Sequence, residues 1–233
     1  MNRVYEVGEG IWAVDHEAKM APAAYLPLRM TILRVGGALM LHSPVPMDDA
    51  LVEEIDQLGE VAHIVGPNKF HHLHIPEAKR RYPKAAVWGA PGLAKKRSDI
   101  AFDGVLGSGS PEAWREELVH VHVQGVPMVN EVVTYHRPSR SLVVTDLVFN
   151  MKQTRGWATR VVMALVGASK GFAHSRSWKY IFVRDKGLAG RGVAEILSLD
   201  FDRIVPAHGD IAEDSRQRLV DQLRYLSPPS LTA

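Results

Sequence analysis

Val61-Ala62-His63-Ile64-Val65-Gly66-Pro67-Asn68-Lys69-Phe70-His71-His72-Leu73-His74-Ile75-Pro76 is the stretch on which the fold turns. An apolar run of strand length, Val61 to Val65, stops at Gly66-Pro67, and His71, His72 and His74 crowd the junction that follows. Pro76 then stands at a first helical position and opens a basic helix that ends before Pro83. Imidazoles gathered at a strand end suit a zinc, iron or manganese site, because neutral nitrogen donors on a pre-ordered turn bind without backbone rearrangement. The cluster equally suits a polar loop whose histidines cap the helix and face water, and the turn by itself leaves both readings open.

Working outward, the stretch sits inside an alternation of strands and helices. Upstream, Met30 to Leu33 and Ala38 to Leu41 flank Gly36-Gly37, a hairpin signal, and Gly10 to Asp15 reads as a further strand. From Asp48, Leu51, Ile55 and Leu58 recur at helical spacing, with Gly59 where a cap belongs. Downstream, Ala85 to Trp88 and Leu118 to Val123 read as strands, with His120 and His122 on a solvent-facing side. Val132 to Tyr135 is expected to pair with Leu142 to Thr145. Residues 154–200 read as helical, Arg203 to Pro206 as a short strand, and Ile211 to Leu226 as a terminal amphipathic helix. Strands in two runs, each followed by helices, predict two βα halves facing each other sheet to sheet with helices outside. No repeat or polar linker divides the chain, so residues 1–233 are read as a single domain.

With 233 residues, 46% hydrophobic and 23% charged, the chain can bury a substantial core. It has no cysteine, which excludes disulfides, thiolate nucleophiles and cysteine-ligated metal sites, so any metal must be held by His, Asp or Glu. A formal net charge of +2 does not point to nucleic acid, although the slight basic excess admits an anionic ligand. The opening MNRVYEVGEG has no apolar leader core, and no stretch approaches the roughly 18 uninterrupted apolar residues of a membrane span. The expectation is a cytoplasmic protein with a small-molecule substrate and neither a nucleic-acid nor a membrane partner.

Two more strand ends carry candidate ligands. Leu142-Val143-Val144-Thr145-Asp146 ends in a carboxylate, and Arg203-Ile204-Val205-Pro206-Ala207-His208-Gly209-Asp210 ends in a histidine followed by glycine. In layered α/β folds, strand ends share one edge and can deliver side chains to a common site. Asp146 could instead cap a helix and His208 could hydrogen-bond in the core.

The order of hairpin, helix, strand, His-rich turn, strand ending in Asp, and strand ending in Pro206-Ala207-His208-Gly209 resembles the metallo-β-lactamase-like superfamily over most of the chain. That resemblance implies an α/β (α+β) four-layer αββα sandwich with metal at one sheet edge. The superfamily's Thr-His-x-His-x-Asp-His motif meets Gly66 to His72: His72 keeps the last His, His71 replaces the Asp, and Pro67 and Lys69 replace the two earlier His. No His occurs near Gln124-Gly125-Val126-Pro127, where the third motif falls. The lost positions are those the resemblance assigns to a first metal, which implies a one-metal relative. Pro67-Asn68-Lys69 with His71-His72, Asn130-Glu131, and Thr145 to Asn150 are similar to a branch described as domain of unknown function 4336.

The resemblance implies one divalent metal, zinc first and iron or manganese as alternatives, held by His72, Asp146 and His208, with His71 as fourth ligand or outer partner. A His71/His74 pair at helical spacing is the competing geometry. The expected activity is metal-dependent hydrolysis, with Lys69 and Asp146 in catalytic roles and Lys69 orienting an anionic substrate. Trp157, in a lid-like segment over about 154–200, would line the substrate pocket. The alternatives are a non-catalytic descendant that binds a ligand or partner, and redox chemistry at iron.

Overall fold

The computed structural model describes residues 3–107, 109–169 and 171–226. A seven-stranded sheet runs in chain order through β1 (Val4–Gly8), β2 (Ile11–Ala21), β3 (Ala24–Val35), β4 (Ala38–His42), β5 (Val61–Gly66), β6 (Ala86–Gly89) and β7 (Gly104–Val105). The first four strands form an antiparallel meander; β4 to β7 are parallel, with α1 (Asp49–Asp56), α2 (Ile75–Arg81) and α3 (Leu93–Lys96) as crossovers. Gly36 and Gly37 close the β3–β4 hairpin with φ of 59° and 80°, the left-handed pair that a two-residue turn needs. Asp48 caps α1 by accepting the Leu51 N–H at 2.9 Å.

The second sheet contains β8 (Leu118–His122), β9 (Val132–His136) and β10 (Ser141–Val144), followed in space by β13 (Arg203–Pro206) and β14 (Ala212–Glu213). Between β10 and β13 the chain makes β11 (Phe149–Met151), α4 (Trp157–Val166), β12 (Gly171–Ala173), a π-helical turn at Trp178–Phe182 and α5 (Lys186–Ser198). The helix α6 (Arg216–Leu223) closes the described chain.

Period-two alternation sorts the apolar residues into three layers. Leu39 and Leu41 of β4 face α1 and α2 while Met40 faces the other sheet, and Ile64 and Val65 of β5 divide in the same way. In the second sheet Leu142, Val144 and Ile204 meet α5 and α6, whereas Val143 and Val205 meet Met40 and Val65 between the sheets. Helices therefore cover both outer faces, and the molecule is an αββα sandwich. Ile55, Ile64, Val193 and Ile204 are fully buried, each contributing about 1.5–3 kcal/mol of transfer free energy.

Three readings of the sequence need correction. Residues 154–200 are not continuously helical, because β12 pairs with β11 and a π-helical turn precedes α5. The terminal helix begins at Arg216, since Ala212–Glu213 pairs with β13. His120 does not face solvent: Val119 and Val121 of β8 pack on the outer cluster, which turns His120 inward, 5.8 Å from the Trp114 ring.

The consequence for the site is geometric. β10 and β13 are parallel neighbours with Val144 opposite Pro206, so Asp146 and His208 each lie two residues beyond a registered pair. The turn after β5 faces them across the sandwich.

Candidate metal centre

The turn after β5 is held by Asn68, which is fully buried. Its Oδ1 accepts the backbone N–H groups of Phe70 at 2.8 Å and His71 at 2.7 Å. Its Nδ2 donates to Thr145 Oγ1 at 2.9 Å and to Asp146 Oδ2 at 2.6 Å. Backbone bonds from Lys69 to Val129 and from Val132 to Pro67 fasten the same turn to the second sheet. One polar side chain thus sets both the curl of the His-rich turn and its position over the β10 end.

Asp146 is fixed from behind by Glu131, which is fully buried and accepts the N–H groups of Thr145 at 2.7 Å and Asp146 at 2.8 Å. Burial, then the neighbouring Asp146 charge, pushes the Glu131 carboxyl up to about 7. Burial also works against the charged form of Asp146, but His71 and His208 outweigh it and hold that carboxyl below the ordinary range.

His208 is clamped by its surroundings. Its Nδ1 lies 2.8 Å from the Pro27 carbonyl, which can only accept, so Nδ1 carries a proton and Nε2 is the atom turned to the site. Phe149 stacks on the ring at 4.9 Å and 9°. Gly209 follows with φ of 89°, and a Cβ there would meet the Asn150 carbonyl oxygen at 2.2 Å, which accounts for the His-Gly pair.

His71 points into the same space. Its Nδ1 is 2.7 Å from Ser43 Oγ, and Ser43 occupies a left-handed conformation with φ of 57° directly after β4. His71 Nε2 lies 3.1 Å from His208 Nε2 and 3.5 Å from Asp146 Oδ2; His208 Nε2 lies 3.4 Å from Asp146 Oδ1. These three residues are the one His, Asp or Glu group among the described residues with donor atoms within 4.8 Å of one another. For metal–ligand bonds of 2.0–2.1 Å, a tetrahedral face has edges of about 3.3–3.4 Å, close to this triangle. Two imidazole Nε2 atoms and a carboxylate at these separations form a donor set that fits a divalent cation.

Other candidate residues lie apart from this group. His72 Nδ1 accepts from Arg97 Nη1 at 2.7 Å, and His72 stands in the cleft wall outside the donor triangle; burial, then Lys96 and Arg97, pull its pKa down to about 4. The turn therefore contributes His71, and not His72, to the donor triangle. His74 lies beside Glu77, 3.6 Å away, instead of joining His71. Lys69 donates to the Pro127 carbonyl at 2.8 Å and does not line the cleft, so its ammonium is not presented to a substrate there. Trp157 opens α4, 66% exposed, and is likewise absent from the cleft lining.

The donor triangle forms part of the wall of a cleft of about 310 Å³ that is mostly apolar, with Met20, Leu26, Leu28, Val45 and Phe70 around it and no Lys or Arg. A larger cleft of about 640 Å³ adjoins the far side of His208, but its charges are paired, Arg29 with Asp15 and Lys152 with Asp210. Asn68, Glu131, Ser43 and Pro27 are the positioning groups that sequence reasoning did not assign. An Asn three positions before a His-His dipeptide and a Glu opening an apolar strand are the available signals.

The family profile described as domain of unknown function DUF4336 matches residues 8–170. This chain belongs to the DUF4336 family. No curated protein matches the sequence. Among solved structures, the DUF4336 chain is similar to a metallo-beta-lactamase from Pontibacter korlensis, with 15% identity over 97% of this chain and 99% of that one at a TM-score of 0.67. It is similar to a metallo-beta-lactamase from Hirschia baltica, with 12% identity over 97% and 98% at 0.67. A metal-soaked Flv1 flavodiiron core from Synechocystis sp. PCC6803 shares 9% identity over 97% of this chain and 60% of that one at 0.64. These likenesses show that the chain has the metallo-β-lactamase fold.

Proposed function

We propose that this DUF4336 protein is a metal-dependent hydrolase that uses one divalent metal and acts on a small, neutral, largely apolar ester or lactone. The observation that carries this reading is the triangle of His71 Nε2, His208 Nε2 and the Asp146 carboxylate in the wall of an apolar cleft. Three protein donors leave a coordination position open, which is the arrangement catalytic metals use. A cation held there would supply Lewis acidity, polarising a carbonyl oxygen and acidifying water.

The chain's own residues supply positioning. Pro27 and Phe149 fix the His208 ring, Ser43 holds the back of His71, and Asn68 with Glu131 immobilises Asp146. Such outer partners keep donor orientation rigid. The apolar walls exclude water and would seat an acyl or ring carbon framework. Absence of cationic side chains from the lining favours a neutral substrate over the anionic one expected from Lys69. A first metal has no support in this turn, where Pro67 and Lys69 stand and Lys69 is turned to Pro127. Zinc matches the two-imidazole, one-carboxylate set, and iron or manganese could also use it.

The test combines elemental analysis of untagged protein with turnover of a panel of neutral esters and lactones. The expected result is at most one metal per chain, with turnover lost in a folded His208→Ala variant. Metal without turnover on the panel would favour the non-catalytic, ligand-binding alternative. Turnover unchanged in His208→Ala would overturn the metal-hydrolase reading.

A further inference from the structure

We propose that α4, the π-helical turn and the mouth of the cleft form a docking surface for an anionic lipid bilayer. α4 uses only one side for anchorage. Thr159 Oγ1 donates to the Tyr25 carbonyl at 3.0 Å and accepts the Tyr25 N–H at 2.7 Å, and Met163 joins Met151 and Ala168 in a buried cluster with Leu26 against it. The opposite side carries Trp157, Val161, Ala164 and Leu165 at i, i+4, i+7 and i+8, all exposed. Trp157 is 66% exposed and Leu165 71%, and on the neighbouring turn Tyr180 is 71% exposed. Large apolar groups left in water on one face mark an interaction surface.

Charge identifies the partner. No acidic residue occurs between Asp146 and Asp185, whereas residues 151–184 hold seven Lys and Arg; Lys152 pairs with Asp210 and Arg155 with Glu17, while Arg160, Arg176, Lys179 and Arg184 are exposed cations. A second copy of the chain is a poor fit, because a two-fold contact would place this basic patch against itself. Exposed Trp and Tyr among basic side chains are the composition of an interfacial helix, which lays its apolar groups into the acyl boundary and its cations on the headgroups. The surface continues to the cleft through the β2–β3 hairpin, whose Tyr25 holds Thr159 of α4 and whose Met20 stands with Leu73 at the mouth, each 65% exposed. No helix among the described residues is long and apolar enough to cross a membrane, and a peripheral surface requires none. The proposal departs from the expectation of no membrane partner, which rests on the lack of a span. The face contains none of the three metal-donor residues, so the inference stands apart from the hydrolase reading.

Flotation of the full chain with phosphatidylcholine vesicles, with and without phosphatidylglycerol, tests it. The wild type should float with the anionic vesicles, weakly with the neutral ones, and less at high salt. Leu165→Asp with Trp157→Ala, and separately Arg160→Ala with Arg176→Ala, should each weaken anionic-vesicle binding by about tenfold or more while the thermal unfolding curve stays in place. No flotation of the wild type, equal flotation of folded variants, or equal binding to neutral vesicles would overturn the proposal. So would light scattering that shows a dimer converted to monomer by Leu165→Asp, since the face would then be covered by a second copy.

Discussion

Asn68 Nδ2 lies 2.6 Å from Asp146 Oδ2 while Asn68 Oδ1 accepts two N–H groups of its own turn. A residue of the first half therefore fixes a carboxylate of the second half across the sandwich. The side chain does two things at once: its Nδ2 satisfies one oxygen of Asp146, and its Oδ1 curls the turn so that His71 reaches the donor triangle.

Asn68→Ala should damage both. The Phe70 and His71 N–H groups lose their acceptor, with an expected loss of about 1–3 kcal/mol in stability. Metal affinity should fall roughly 10–100-fold, as it does when an outer partner of a ligand is removed. Denaturant midpoints and chelator competition measure the two effects, and a variant unchanged in both would show that Asn68 positions nothing.

The consecutive histidines should separate cleanly. His71→Ala removes a donor and should weaken metal binding by more than the roughly 10–100-fold cost of an outer partner. His72→Ala removes only the acceptor for Arg97, which keeps Asp99 as a partner at 2.6 Å, so metal affinity should be retained. Equal losses in the two variants, measured by metal titration, would return His72 to the ligand set.

Glu131→Gln tests the support behind Asp146. The carboxylate takes one N–H on each oxygen, and an amide would set an N–H donor against one of them in a fully buried place. An expected loss of about 1–3 kcal/mol follows from leaving that pair unsatisfied. An unaltered unfolding midpoint would mean that the two backbone groups do not depend on the carboxylate.

What could be read in the sequence is what local periodicity carries. The strand ending in Asp146 and the strand ending in His208 are apolar runs, and parallel pairing with Val144 opposite Pro206 brings their ends to one edge. The choice between His71 and His72 was not local: it is made by Asn68 acting on Asp146, 78 positions away. Ser43 and His71 are 28 positions apart, and nothing near Ser43 in sequence announces a ring nitrogen at 2.7 Å. A motif position fixes the backbone site of Lys69 and leaves its long side chain to find the Pro127 carbonyl. His120 reversed its expected face because the Val side of β8 is the one the helix layer covers.

Acid should destabilise the fold through His174. Its ring is buried, with Nδ1 donating to the Leu147 carbonyl at 2.6 Å and Nε2 facing the Tyr225 hydroxyl at 2.8 Å. Burial pulls its pKa down to about 4, with nearby Lys179 adding in the same direction. The neutral ring is thus favoured in the folded state, while the unfolded chain titrates near 6.5. The contribution is complete above the unfolded value, shrinks as pH falls from 6.5 toward 4, and is gone below it, because the unfolded chain binds the proton first. From pH 7 to pH 5 this group alone should remove on the order of 2 kcal/mol. Urea unfolding of His174→Gln against the wild type over that range is the measurement. The variant should have the flatter stability profile even though it is weaker at pH 7, and parallel profiles would show that His174 titrates alike in the folded and unfolded chain.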